Sequence, residues 1–170
     1  MKNFTKIFAI ATVVLGFAST SFAQSNAVAT ASTSATIIAP ISLTKNIDMN
    51  FGNVATSATA GTVVLATNSG RSVTGGTSLP VTAGTVSAAK FTVNGNVAAT
   101  YSIVLPGTIT LTKGTDIMTV GAFTSTPTPT GLLTGGTQEI LVGATLNVGI
   151  NQAAGVYTNV ADLSVTVAYN

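Results

Sequence analysis

Along most of this chain apolar and polar residues alternate one for one, the period of a strand with one buried face. Tyr101, Ile103 and Leu105 share a parity, and Ile109 and Leu111 keep it beyond Pro106-Gly107. Ile117-Met118-Thr119-Val120 leads to Phe123. Ile140, Val142, Leu146, Val148 and Ile150 alternate with Gly, Thr and Asn, and Leu163, Val165, Val167 and Tyr169 alternate with Ser164, Thr166 and Ala168. Shorter runs are Met49-Phe51, Val63-Val64-Leu65 and Phe91-Val93. β-branched Thr and Val dominate, which favours pleated structure.

Turn residues separate these runs. Asn94-Gly95 predicts a type I′ hairpin between Phe91-Val93 and the Tyr101 run. Gly75-Gly76, Lys113-Gly114 and Gly135-Gly136 mark further breaks, and Thr126-Pro127-Thr128-Pro129-Thr130 predicts a stiff loop. No segment beyond the first residues has a helical period. Many short strands with regular turns predict an all-β, immunoglobulin-like antiparallel β-sandwich.

The longest alternation is N-terminal. Ala27, Ala29, Ala31, Thr33, Ala35, Ile37, Ala39, Ile41 and Leu43 occupy the odd positions, with mostly Thr or Ser between them. A strand over 25–43 would span roughly 55 Å, against about 17–20 Å for an average strand. Either it bends from one sheet to the other and completes its own sandwich, or its first part pairs with a neighbouring molecule. Alanine methyls bury little area, at roughly 25 cal/mol per Å², so this face holds less tightly than a row of Val or Ile.

Residues 1–23 read as a secretory signal: Lys2 and Lys6, the short apolar run Ile7 to Phe17, then Ser21-Phe22-Ala23 as a cleavage site. The apolar run is too short to span a membrane, which needs about 20 residues, and no later segment is long enough. One domain, 24–170, follows. Removing the leader removes two of six basic residues and none of four acids, so the remainder is formally neutral. No basic cluster remains for nucleic acid. A neutral, charge-poor surface gives little protection against association.

The chemistry on offer is sparse. The chain has no Cys and no His, so thiolate or Ser-His catalysis, disulfides and ordinary zinc sites are excluded. Asp48, Asp116, Glu139 and Asp162 are scattered, with no local motif pairing two of them across a bond. Asp116 after Gly114-Thr115 lacks the further carboxylates of a calcium loop. Arg71 beside Gly70 reads as a polar loop residue. No catalytic, cofactor-binding or metal-binding residue is expected, and the protein is expected not to be an enzyme.

Two stretches resemble a secreted bacterial family known as a domain of unknown function. The opening one is Ala35-Thr36-Ile37-Ile38-Ala39-Pro40-Ile41-Ser42-Leu43, Met49-Asn50-Phe51-Gly52-Asn53-Val54 and Gly61-Thr62-Val63-Val64. The closing one is Val142 to Leu146, Gly155-Val156-Tyr157 and Val165 to Asn170. More distantly, Gly155-x-Tyr157 and the terminal alternation ending at Tyr169 resemble spore coat protein U domains and subunits of archaic chaperone–usher pili. That resemblance implies a sandwich whose missing strand comes from a periplasmic chaperone and then from the next subunit's N-terminal extension, a β-augmentation.

The expectation is therefore an exported structural or surface protein in the periplasm, on the outer cell surface or outside the cell. It assembles through Ala27, Ala29, Ala31, Thr33, Ala35 and Ile37 at one end and Leu163, Val165, Val167 and Tyr169 at the other. Phe51, Gly52, Gly155 and Tyr157 are its family-pattern residues. Its partners are other copies or a chaperone and usher. The alternatives are a monomeric adhesion module, with a ligand face at Tyr101 or the Pro127–Pro129 loop, and an outer-membrane barrel of eight strands.

Overall fold

The computed structural model describes residues 26–159 and 163–170. The signal segment 1–23 and Asp162 lie outside the described residues. The chain divides after Thr36. Residues 26–36 are exposed and carry no ladder. Residues 37–170 hold the strands, and the described residues include no helix.

The strands are β1 (Ser42–Ile47), β2 (Gly61–Leu65), β3 (Arg71–Gly75), β4 (Ala89–Asn94), β5 (Thr100–Val104), β6 (Ile109–Lys113), β7 (Asp116–Thr126), β8 (Thr130–Leu132), β9 (Thr137–Val148) and β10 (Thr166–Tyr169). Every pairing between them is antiparallel. The larger sheet has the order β1-β4-β9-β2-β3, with β7 also on β9 and β6 on β7; the smaller is β10-β5-β8. The two face each other as a sandwich, as the alternation predicts, and neither closes into a barrel.

β9 is the spine. β7 runs along one of its edges from Leu141 to Asn147. The other edge is shared in succession by β4, on Thr137 to Val142, and β2, on Ala144 to Val148. Two hydrophobic clusters follow from this division. One joins Val63, Leu65, Val120, Leu146 and Val148 with Phe51. The other lies between the sheets and joins Phe91, Val93, Ile140 and Val142 with Tyr101 and Leu133. β7 carries a bulge, because Gly121 pairs with Thr145 while Thr124 pairs with Gly143, three steps against two. Ala122, at φ 48°, is the extra residue. The bulge explains why inward parity passes from Val120 to Phe123.

Several local expectations are corrected. The ladder begins at Ser42, not near residue 25. Asn94-Gly95 is not a hairpin: β4 pairs with β1 and β9, whereas β5 lies in the other sheet. Neither residue has positive φ. Gly95 is needed for space instead, since a Cβ there would strike the Tyr169 hydroxyl. Met49-Phe51 contributes one bridge, Asn50 to Ser87, rather than a strand. β3 was not foreseen, because Arg71-Ser72-Val73-Thr74-Gly75 contains one large apolar residue.

Candidate functional site

The C-terminal residues singled out from the sequence form one continuous edge. Leu163, Val165, Val167 and Tyr169 are half-buried against the intersheet cluster, and Ser164, Thr166 and Ala168 between them are exposed. Among the described residues β10 pairs with β5 alone, so its other edge carries no ladder there. Among the described residues β1 pairs with β4 alone and likewise ends its sheet. Unpaired edges such as these attract further strands unless something covers them.

The two free edges meet at a seam that is fastened at one end. The Tyr169 hydroxyl donates to the carbonyl oxygen of Ala39 at 2.8 Å and accepts from the Asn96 amide at 2.6 Å. The start of β1 is thereby held beside the end of β10. At the far end, Ile47 and Leu163 flank a groove of about 970 Å³ with a mixed polar and apolar lining. Phe51, Phe91, Ile109, Leu111, Met118 and Leu146 line it. The acid and base on its rim, Asp48 and Lys45, are bonded to each other at 2.6 Å.

The four family-pattern residues build the groove's two walls. Phe51 buries its ring in the first cluster, and Gly52 follows at φ 68°. Arg71 secures this wall by donating from Nη1 to the carbonyls of Phe51, at 2.6 Å, and Asn53, at 2.9 Å. It is therefore a clamp, not the bare loop residue expected. The opposite wall is the strap 152–158. Tyr157 donates to the Ala153 carbonyl at 2.9 Å and accepts from Gln152 Nε2 at 2.8 Å; Gln152 also donates to the Ile117 carbonyl. Lys113 reaches the Ala154 carbonyl at 2.9 Å and Asp116 at 3.1 Å, with its ammonium 5.6 Å from the Tyr157 ring centre. Gly155, at φ 144°, has a backbone conformation that residues with a Cβ rarely adopt, and it lets the strap pass against the Lys113 stem.

The N-terminal residues singled out are placed differently. Ala27, Ala29, Ala31, Thr33, Ala35 and Ile37 are exposed and in no ladder, and Ile37 is 96% exposed.

Other candidates resolve into structural roles. Tyr101 is fully buried, so it presents no ligand face. Its hydroxyl donates to Gln138 Oε1 at 2.8 Å, which also accepts from the Leu132 amide. Burial pushes the phenol above its ordinary value. Pro129 is exposed, while the Pro127 carbonyl accepts from Ser125 Oγ at 2.7 Å. Asp116 pairs with Lys113, and Glu139 with Lys90. Among the described residues no three acids cluster as metal ligands. No described helix is long and apolar enough to cross a membrane.

Gln138, Gln152 and Asn96 carry no signal in the sequence, and the clamping role of Arg71 carries none either. Each acts on backbone or side chains distant in sequence, and no local pattern marks such contacts.

The family described as Domain of unknown function (DUF4402) matches residues 41–169, from the start of β1 to the end of β10, and the chain belongs to it. No curated protein and no solved structure matches.

Proposed function

We propose that this DUF4402 member is an exported, non-enzymatic structural subunit that joins copy to copy by β-strand addition. The added strand is the N-terminal segment of one copy, and an open sheet edge of the next receives it. One observation carries this reading: residues 27–37 have the alternation of a half-buried strand, yet they are exposed and in no ladder. A segment patterned to bury one face gains that burial by pairing with a sheet. The closing sequence pattern, Gly155-x-Tyr157 and the alternation ending at Tyr169, supports this reading, and so does the secretory pattern of residues 1–23, on which the proposed export rests. During export a periplasmic chaperone is the partner suited to cover the open edge before the next copy arrives.

Deleting residues 24–35, with the leader kept, tests the reading. The shortened protein recovered from the periplasm should fold and remain monomeric on a sizing column, while the parent forms multimers. Unchanged assembly of the shortened chain would refute it.

A further inference from the structure

We propose that Thr128 is a modification site, whose hydroxyl accepts a sugar by O-glycosylation once the chain is outside the cytoplasm. This needs the export part of the reading above and is independent of how copies join.

Thr128 stands between Pro127 and Pro129, and no other residue of the chain has proline on both sides. Stretches rich in Ser and Thr and broken by Pro have the composition of O-glycosylated segments. The fold gives this stretch a physical basis for the same chemistry. β7 ends at Thr126 and β8 begins at Thr130, so residues 127–129 lie between the two strands. A transferase must surround its acceptor, and a residue inside a sheet has neighbouring strands about 4.7–4.9 Å away that leave little room. Each proline fixes its own φ and lacks an N–H to pair. Thr128 is therefore held in a preset backbone shape, which lowers the cost of ordering it in an enzyme. Two contacts seat the loop. Ser125 Oγ donates to the Pro127 carbonyl at 2.7 Å, and the Ile103 amide donates to the Pro129 carbonyl at 2.9 Å.

The hydroxyl itself is accessible. Thr128 is exposed, and among the described residues its side chain makes no hydrogen bond. Several threonines of the large sheet are engaged instead. Thr62 and Thr74 share a bond of 2.7 Å, Thr67 and Thr126 share one of 3.1 Å, and Thr119 Oγ1 accepts from Asn147 Nδ2 at 3.2 Å.

The donor is a sugar carried on a lipid phosphate, because export takes the chain away from cytoplasmic nucleotide sugars. A base of the transferase takes the hydroxyl proton. Thr128 Oγ1 bonds to the anomeric carbon, and the bond from that carbon to the phosphate oxygen breaks and releases the lipid phosphate. The added sugar has surface to shield. Val104, next to Ile103, and Leu132, at the end of β8, are 60% and 46% exposed. Among the described residues β8 pairs with β5 alone. A bulky, hydrated group at the start of β8 hinders another strand from adding there.

The test uses the full chain recovered after export from the cells that naturally make it. Cleavage after Asp116 and Glu139 releases residues 117–139, which carry the loop. Mass spectrometry, with fragmentation that leaves side-chain sugars attached, locates the addition. The expected peptide exceeds its sequence mass by whole sugar residues, all borne by Thr128. Thr128→Val should return it to the sequence mass, whereas Thr124→Val, at another exposed position, should leave the addition in place. A parent peptide at its sequence mass overturns the proposal, and so does a sugar on any other residue of that peptide. Addition to a precursor that still carries residues 1–23 overturns the lipid-linked donor, because transfer then precedes export.

Discussion

The hydroxyl of Tyr169, the penultimate residue, donates to the carbonyl oxygen of Ala39 at 2.8 Å, fastening the end of the last strand to the chain entering the first. The same oxygen accepts from the Asn96 amide, which turns the chain from one sheet toward the other. One phenol thus ties three segments far apart in sequence.

Tyr169→Phe keeps the ring and removes both bonds. Net hydrogen bonds contribute about 0.5–1.5 kcal/mol each, and an orphaned amide costs more, so the loss should be about 1–3 kcal/mol. A lower urea midpoint with unchanged slope checks this. A midpoint equal to the parent's would mean that the fastening carries no stability.

Arg71 holds the wall that covers the first cluster. Arg71→Met retains an apolar stem but leaves the Phe51 and Asn53 carbonyls without their charged donor. Bonds to charged groups contribute about 1.5–3 kcal/mol, which sets the expected loss. Amide exchange should accelerate first at residues 50–54. Uniform acceleration across all strands would show that the wall does not open locally.

Tyr101 gives the stability a dependence on alkaline pH. Burial raises its folded-state pKa above the ordinary value of 10.0. The folded chain therefore holds this proton more tightly than the unfolded one. That advantage to the neutral phenol is intact below pH 10 and is lost as the pH rises through the raised value. Urea midpoints measured from about pH 7 to 11 should fall above 10, and less steeply in Tyr101→Phe. Equal slopes in the two proteins would contradict the assignment.

Much of the architecture was legible because strand alternation is local. The inward residues Ile140, Val142, Leu146 and Val148 of β9 and Val167 and Tyr169 of β10 follow the alternation, whereas Ile150 falls beyond β9 and is exposed, and the β7 bulge between Val120 and Phe123 has no local signature. The misreadings arose where tertiary placement overrode local preference. Asn94-Gly95 has hairpin chemistry, but Tyr169 occupies the space beside it and the chain changes sheets there. Gly52 and Gly155 were visible as a pattern, whereas their shared role in the groove walls needs Arg71 and Lys113 from other strands. The groove itself has no sequence signature, being lined from segments as distant as Phe51 and Leu163.

Polymerisation by strand addition is tested most directly by exporting the full chain, recovering it from the periplasm and running it on SDS gels with and without boiling. Paired β-strands resist the detergent until heated, so the account predicts an unheated ladder that collapses to one monomer band. A single monomer band in both lanes, together with monomeric elution from a sizing column, would contradict it.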